Sequence, residues 1–176
     1  MSSLKAKICT ERLSLDVIRD EDFSDLISIL KHDEVSKYYM VPDFKSSEDE
    51  RKLFTMLSDL SLRADRYVYG IFLDGKLIGI VNDTDMSGNM IEIGYALNPG
   101  CFGKGYMTEA LSALIDHLLS HGFYEVTAGA FSENLASIRV MQKCGMVKID
   151  KTEDITYRGI TNTCVFYSVN KDIYLK

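Results

Sequence analysis

The segment Gly100-Cys101-Phe102-Gly103-Lys104-Gly105-Tyr106-Met107 joins the end of a predicted strand to the start of a long predicted helix. A glycine-rich turn in this position exposes several backbone N–H groups, and the helix N-terminus adds the positive end of its dipole. Gly103 and Gly105 can adopt positive φ and let the backbone approach a ligand closely. The segment therefore predicts an anion site suited to a pyrophosphate, with a plain glycine-rich helix start as the alternative.

The two best-known phosphate-binding loops do not fit this segment. A Walker A loop needs Ser or Thr after its Gly-Lys pair to hold magnesium, whereas Gly105 follows Lys104 here. A dinucleotide-binding loop has a third glycine and lies early in a βαβ unit. Here Thr108 takes the place of that glycine, and the segment lies in the middle of the chain. The loop alone therefore leaves its phosphate ligand unnamed.

A three-stranded β-meander is predicted directly before the loop, over residues 67–73, 77–83 and 90–97. Asp74-Gly75-Lys76 forms the first turn, because Asp-Gly is a favoured hairpin pair. Ser87-Gly88-Asn89 forms the second turn. Asn98-Pro99-Gly100 ends the third strand and leads into the glycine-rich segment.

The helix after the loop is expected to begin between residues 103 and 106, to run to about His121 and to end at Gly122. Its apolar side chains recur with a helical period: Met107, Ala110, Leu111, Leu114, Ile115, Leu118 and Leu119. The remaining elements are a strand (124–131), a short helix (134–144) and two strands (146–157 and 163–170) around an Arg158-Gly159 turn.

Upstream of the meander, the pattern predicts a strand over 13–17 and an amphipathic helix over 20–31. Ser46 or Ser47 can cap a second helix, with Glu50 completing a capping box for Ser47. The expected buried stripe of that helix is Leu53, Met56, Leu57 and Leu60.

The full order is β-α-α-β-β-β-α-β-α-β-β, which predicts one α+β domain over residues 1–176. Its central sheet is mixed and mostly antiparallel, with helices flanking it. The parallel contact is expected between strands 90–97 and 124–131, because a helix crosses over between them.

Composition excludes several classes of protein. The net charge of −6 leaves no surplus of Lys and Arg for a general nucleic-acid binder. The four cysteines have neither the CxxC nor the Cys/His spacing of a metal site and are typical of reduced thiols. The N-terminal segment 1–7 has no signal-peptide core, and no apolar run approaches membrane-spanning length. We therefore expect no metal, no nucleic acid, no membrane contact and a cytoplasmic location.

Five segments together resemble the GCN5-related N-acetyltransferase (GNAT) superfamily, across essentially the whole chain. The opening segment is similar to the branch of ribosomal-protein N-terminal acetyltransferases (RimJ/RimL-like). In chain order the segments are Thr10-Glu11-Arg12-Leu13-Ser14-Leu15, Ile91-Glu92-Ile93-Gly94-Tyr95-Ala96-Leu97, Phe102-Gly103-Lys104-Gly105-Tyr106-Met107-Thr108-Glu109-Ala110-Leu111, Glu133-Asn134-Leu135-Ala136-Ser137 and Lys143-Cys144-Gly145-Met146.

The resemblance implies acetyl-CoA as the co-substrate. Backbone groups of Tyr95, Ala96 and Leu97 would pair with the pantetheine arm. Pro99, by removing a donor at the strand end, would let the two parallel strands separate to admit it. The side chain of Asn134 would contact the cofactor, although Asn is also a favoured helix N-cap. The pyrophosphate would bind at Phe102, Gly103, Lys104, Gly105, Tyr106 and Met107. Gly100 departs from the family's usual Gln or Arg, which leaves the backbone site intact.

Catalysis requires an amine without its proton and then a proton for the leaving thiolate. Glu92 is the candidate base, because it shares a strand face with Gly94 and Ala96, where a ligand has room. Its alternative is an ordinary polar strand residue. The superfamily's usual tyrosine acid falls on Met141, which cannot donate a proton. The resemblance implies Ser137 instead, with helix packing or cofactor contact as its alternative. Tyr95 and Tyr106 are other nearby candidates for the acid.

The chain is therefore predicted to acetylate a primary amine, on a protein N-terminus or a small molecule, by direct attack on acetyl-CoA. A different acyl donor, or another acceptor such as a polyamine, an aminoglycoside-like antibiotic or a free amino acid, is an alternative within the same chemistry. A non-catalytic acyl-CoA-binding sensor or regulatory module is the alternative of another class. The expected substrate loops, 37–46 and 157–163, carry no readable code for the acceptor. A homodimer is left open.

Overall fold

The computed structural model describes residues 5–174. Most of the N-terminal segment considered above, and the last two residues of the predicted domain, therefore lie outside it. The strands are Ile8–Cys9 (β1), Leu13–Asp16 (β2), Tyr69–Leu73 (β3), Lys76–Ser87 (β4), Met90–Leu97 (β5), Glu125–Phe131 (β6), Val147–Tyr157 (β7) and Ile160–Asn170 (β8). The α-helices are Phe23–Lys31 (α1), Asp33–Ser36 (α2), Ser47–Leu62 (α3), Tyr106–Ser120 (α4), Leu135–Lys143 (α5) and Lys171–Tyr174 (α6).

The strands form one sheet in the order β1-β2-β3-β4-β5-β6-β8-β7. Neighbouring strands are antiparallel except β5 and β6, which are parallel and connected by α4. The predicted mixed, mostly antiparallel sheet with flanking helices, and its parallel pair, are confirmed. Within residues 5–174, no helix combines the length and apolarity needed to cross a membrane.

Helices cover both faces of the sheet. On one face, α4 packs against β5 and β6 in a core that includes Ile91 and Ile93. Leu111 and Leu114 of α4 are fully buried there, and each such side chain stabilises the fold by about 1.5–3 kcal/mol. On the other face, α1 and α3 pack over a second core that includes Ala96 of β5. The odd-numbered residues of β5 therefore face the core beneath α4, and Ala96 faces the second core.

The parallel ladder between β5 and β6 is short. Its last pair joins Glu92 to Thr127, although β5 continues to Leu97 and β6 to Phe131. A β-bulge in β4 at Thr84 lies opposite this point, between the pairs of Asp83 with Ile93 and of Asp85 with Glu92. Bulges bend a strand and increase its twist.

The expectation that Pro99 separates the two strands is corrected by this register. Pro99 lies beyond the end of β5, in a 3₁₀ turn over Pro99–Cys101. The pairing with β6 has already ended at Glu92, so the loss of a donor at Pro99 is not what ends it. The bulge at Thr84, on the neighbouring strand, coincides with the start of the separation.

Three short elements were not predicted: β1, α2 and α6. The predicted stripe of α3 is also partly wrong, because Phe54, Leu57 and Ser61 are its buried residues and Met56 is 49% exposed. The N-cap is Ser46, whose hydroxyl accepts from the Asp49 N–H, rather than Ser47 with Glu50.

Candidate active site at the separated strands

Beyond Glu92, no further pair joins β5 to β6, and we call the space between these two unpaired strand edges the groove. The outer edge of β5 remains paired with β4 as far as Leu97, and that of β6 remains paired with β8 as far as Phe131. The inner edges have no parallel partner over this stretch of the described chain. Their N–H and C=O groups therefore suit a ligand that carries amides of its own. Tyr95, Ala96 and Leu97, the residues expected at the pantetheine arm, all lie along this edge.

The groove leads to the glycine-rich turn at the start of α4. Gly103 and Gly105 have φ values of 73° and 80°, in the left-handed region that favours glycine. Gly105 is the N-cap of α4. Within residues 5–174, the backbone N–H groups of 103 to 108 have no acceptor from the chain. This arrangement of unpaired donors at a helix N-terminus can bind an anion.

The side chains around this turn have distinct environments. Phe102 is 47% exposed at the mouth of the turn. The Lys104 ammonium donates to the Gly100 carbonyl at 2.9 Å, so this side chain closes the turn on itself. Met107 is buried in the core beneath α4, and Tyr106 is partly buried against it. At the six residues expected to bind the pyrophosphate, the turn therefore presents mainly backbone groups rather than side chains.

A bridge between the N-terminal segment and α4 braces the turn. The Glu109 Oε1 atom accepts from the Thr10 hydroxyl at 2.6 Å and from the Arg12 N–H at 2.9 Å. The Arg12 guanidinium donates to Glu109 Oε2 through Nε at 2.6 Å, and to the Lys104 carbonyl through Nη1 at 3.0 Å. Burial opposes ionisation of Glu109, but the bonds from Thr10 and Arg12 outweigh it and lower its pKa. Sequence reasoning missed this bridge, although both segments were quoted for the resemblance.

Ser137 and Tyr95 meet on the α4 side of the groove. Their hydroxyl oxygens are 2.7 Å apart, and the Tyr95 hydroxyl also lies 3.2 Å from the Ser137 carbonyl. Burial raises the pKa of Tyr95 far above its usual value, although the hydrogen bond with Ser137 opposes this. Two residues that were considered as separate candidate acids thus form one hydrogen-bonded pair.

Asn134 and Met141 lie on the same helix as Ser137, in different surroundings. The Asn134 Oδ1 atom accepts from the Ser137 N–H at 3.1 Å, which is the N-cap alternative considered for Asn134. Its amide nitrogen has no acceptor among residues 5–174, so the cap leaves a donor for a cofactor. Met141 is fully buried in the core beneath α4 and faces away from solvent.

Glu92 lies on the opposite side of β5 from the Ser137–Tyr95 pair. Its carboxylate accepts from the Thr84 hydroxyl at 3.0 Å and lies 3.5 Å from the Lys151 ammonium. Lys151 in turn lies 3.8 Å from the centroid of the Phe166 ring. Slight burial opposes protonation of Lys151, but Glu153 and Glu92 hold its pKa above the usual value. Lys151, on β7, was not singled out by sequence, because only tertiary structure brings it to Glu92.

The two expected substrate loops lie against each other on this same face. The Tyr157 hydroxyl donates to the Ser36 carbonyl at 2.8 Å, and Arg158 lies 3.4 Å from the Asp43 carboxylate. Nearby, the Tyr39 hydroxyl donates to Asn82 Oδ1 at 2.7 Å, next to β5. These contacts connect residues 36–43 to the hairpin between β7 and β8, and together they border the Glu92 side of the groove.

Residues 5–174 contain no group of three or more His, Cys, Asp and Glu side chains arranged to hold a metal ion. The histidines include a stacked pair, His117 and His121, with ring centroids 4.1 Å apart near the end of α4. That end of the helix is opposite the glycine-rich turn. The polar groups found along the groove are the Glu92 carboxylate, the hydroxyls of Tyr95 and Ser137, and unpaired backbone groups.

Comparisons with known proteins agree with this geometry. The family model described as acetyltransferase (GNAT) domain matches residues 12–147. The uncharacterized N-acetyltransferase p20 of Bacillus licheniformis is 31% identical over 144 residues, which cover 79% of this chain and 81% of that protein. A GNAT-family acetyltransferase from Bacillus anthracis has a similar structure, with a TM-score of 0.82 at 24% identity over 95% of this chain and 99% of that one.

The same fold is found in RimL, a ribosomal L7/L12 α-N-protein acetyltransferase whose structure was solved in complex with coenzyme A. Its TM-score is 0.83 at 20% identity, over 96% of this chain and 99% of that one. The family model and the 31% identical relative confirm the family expected from the sequence motifs. The chain belongs to the GNAT family and is an acyl-CoA-dependent N-acetyltransferase.

Proposed function

We propose that this enzyme transfers an acetyl group from acetyl-CoA to a primary amine by direct attack of the amine on the thioester. The observation that carries the proposal is the groove between β5 and β6, which leads to the unpaired N–H groups at the start of α4. The stretch of unpaired strand backbone along it suits the two amides of pantetheine. The turn at its end suits a pyrophosphate.

The cofactor assignment follows from this arrangement. The unpaired edge at Tyr95, Ala96 and Leu97 pairs with the pantetheine arm, and the Asn134 amide donates to the cofactor from the other wall. The pyrophosphate accepts hydrogen bonds from the backbone at Gly103 to Met107, where the two glycines keep the surface open. The cofactor thus runs along the groove, with its thioester near the point where the parallel ladder ends.

Glu92 is the proposed base. It lies at the last paired position of β5, on the face bordered by residues 36–43 and by the hairpin between β7 and β8. An amine that enters from this face meets the carboxylate before the thioester. The amine nitrogen bonds to the carbonyl carbon, the bond from that carbon to sulfur breaks, and Glu92 takes the amine proton directly or through water.

Ser137 is the proposed donor to the leaving thiolate, on the opposite side of β5. The pKa of Tyr95 is raised by burial, so tyrosinate is disfavoured and Tyr95 keeps its proton. Tyr95 therefore orients Ser137. The Ser137 hydroxyl gives its proton to the departing sulfur and takes one from a solvent water, and the proton held by Glu92 returns to solvent. The thiol has a pKa near 8.5, so this assistance is worth less than that of the base.

A screen of amines tests the proposal directly. Thiol release from acetyl-CoA is followed with peptides that have free N-termini, polyamines, free lysine and aminoglycosides, and mass spectrometry identifies the product. We expect thiol release that depends on the amine, with one acetyl group added to a primary amine. A chain that binds acetyl-CoA but releases no thiol with any amine would instead be a non-catalytic sensor.

A further inference from the structure

The bridge between Arg12 and Glu109 joins residues 97 positions apart in the chain and meets the glycine-rich turn at its centre. Arg12 Nε and Nη2 each lie 2.6 Å from Glu109 Oε2, so two guanidinium nitrogens contact one carboxylate oxygen. Its third nitrogen, Nη1, reaches the Lys104 carbonyl. The guanidinium also lies 4.6 Å from the centroid of the Tyr106 ring. One side chain therefore contacts the turn, the first residue of α4 and its first acidic group.

The contact with Lys104 fixes the direction of a neighbouring donor. The carbonyl of Lys104 and the N–H of Gly105 belong to the same peptide plane, and in a trans peptide they point in opposite directions. No cis peptide bond is recorded in the described chain. Because Arg12 holds the carbonyl, the N–H of Gly105 is directed away from Arg12.

The contact with Glu109 removes an electrostatic obstacle. Glu109 lies in the first turn of α4, where its negative charge acts on the same helix end that would attract a phosphate. Its carboxylate is 18% exposed, and its lowered pKa keeps it ionised at neutral pH. Arg12 supplies the compensating positive charge, and Thr10 occupies the other carboxylate oxygen.

We propose that Arg12 and Glu109 form a positioning pair for the pyrophosphate of the acyl donor. Arg12 orients the peptide between Lys104 and Gly105 and neutralises Glu109, and Glu109 holds Arg12 in place. This rests on the proposed cofactor site at the glycine-rich turn. The pair affects binding of the pyrophosphate and does not contact the thioester or the amine.

The test compares acetyl-CoA with S-acetylpantetheine, which has the thioester and the amides but no pyrophosphate. Affinity for CoA is measured by calorimetry, and kcat and KM are measured with both donors, for wild type, Arg12→Ala, Arg12→Lys and Arg12→Ala/Glu109→Gln. Arg63→Ala is the matched control, because Arg63 makes a similar two-pronged pair with Asp65 away from the turn.

We expect Arg12→Ala to weaken CoA binding by about tenfold or more. Without Arg12 the Gly105 N–H is no longer held towards the phosphate, and the loss of one hydrogen bond to a charged group reduces affinity by about that factor. KM for acetyl-CoA should rise with kcat little changed, while kcat/KM for S-acetylpantetheine stays within about twofold of wild type. Arg12→Lys should also weaken binding, because a single ammonium cannot replace the fork. The double variant should recover only part of the loss, since it removes the repulsion without restoring the contact to Lys104.

Different results overturn different claims. Equal losses with both donors would show a general structural role and overturn the proposal, as would an unchanged CoA affinity in Arg12→Ala. Full recovery in the double variant would overturn the part assigned to Lys104. A wild-type protein that does not bind CoA would overturn the cofactor site itself, and this proposal with it.

Discussion

Replacing Gly105 with valine tests the phosphate site through backbone conformation. Gly105 has a φ of 80°, and a Cβ added there would lie 3.5 Å from Arg12 Nη2, an ordinary contact. The penalty is therefore conformational, roughly 1–2 kcal/mol for a left-handed residue with a side chain. Gly75, in the turn between β3 and β4, has a φ of 79° and nothing within 4 Å of its added Cβ. Gly75→Val is therefore a control with the same strain at a remote place.

Both variants should lose similar stability, about 2–8 °C in Tm for a chain of this size. Their affinities for CoA should differ. If the backbone at Gly105 turns to relieve the strain, at least one hydrogen bond to a charged phosphate is lost, which costs about 1.5–3 kcal/mol. Calorimetry should therefore show a loss of well over tenfold in Gly105→Val and less than twofold in Gly75→Val. A folded Gly105→Val protein with wild-type affinity would refute the placement of the pyrophosphate.

Three further predictions concern the groups around the groove. Glu92→Gln should lower turnover at saturating amine by roughly 10²–10⁴-fold, with CoA affinity unchanged. Near-full turnover of this variant in steady-state assays would show that Glu92 has only a structural role. Ser137→Ala should lower turnover by only a few fold, because the thiolate leaves readily; normal turnover from pH 7 to 9 would reject its role as donor. The pKa of Glu109 is lowered in the folded protein. Its ionised carboxylate therefore stabilises the fold at pH values above its ordinary pKa of 4.5, and this stabilisation is lost as the pH falls through the lower pKa of the folded state. The difference in Tm between wild type and Glu109→Gln should therefore shrink from pH 7 to pH 3, and a constant difference would contradict it.

Local pattern was sufficient to predict the elements with strong periodicity. The bounds of β5 were predicted to the residue, and α4 was predicted within a residue or two, because its apolar period and the glycines at both ends agree. The turn at Asp74-Gly75 was predicted because Asp-Gly is a favoured hairpin pair. Both residues have positive φ in the structure, as that kind of turn requires. Such features are encoded by neighbours in sequence, where propensity and turn chemistry act directly.

Features that depend on distant partners were beyond this reasoning. β1 has only two residues and exists through its pairing with β2. The unpredicted buried residues of α3 are explained by distant partners, because Phe54 packs on Phe23 of α1 and Ser61 accepts from the Ile18 N–H. The Arg12–Glu109 bridge and the Glu92–Lys151 contact join residues 97 and 59 positions apart. The family motifs did bring most of the proposed site residues to attention, but they did not show which of these residues touch each other.

The position of Met141 explains why the proposed chemistry depends on Ser137 and Tyr95. Met141 is fully buried beneath α4, so a larger and polar tyrosine there would have to displace core side chains and bury its hydroxyl. The helix therefore offers its hydroxyl one turn earlier, at Ser137, where β5 supplies Tyr95 as its partner. Alternation along β5 places Glu92 on the opposite face from this pair, with the unpaired strand backbone between them. In the proposed reaction the amine loses a proton and the sulfur gains one, and this division assigns each transfer to its own residue.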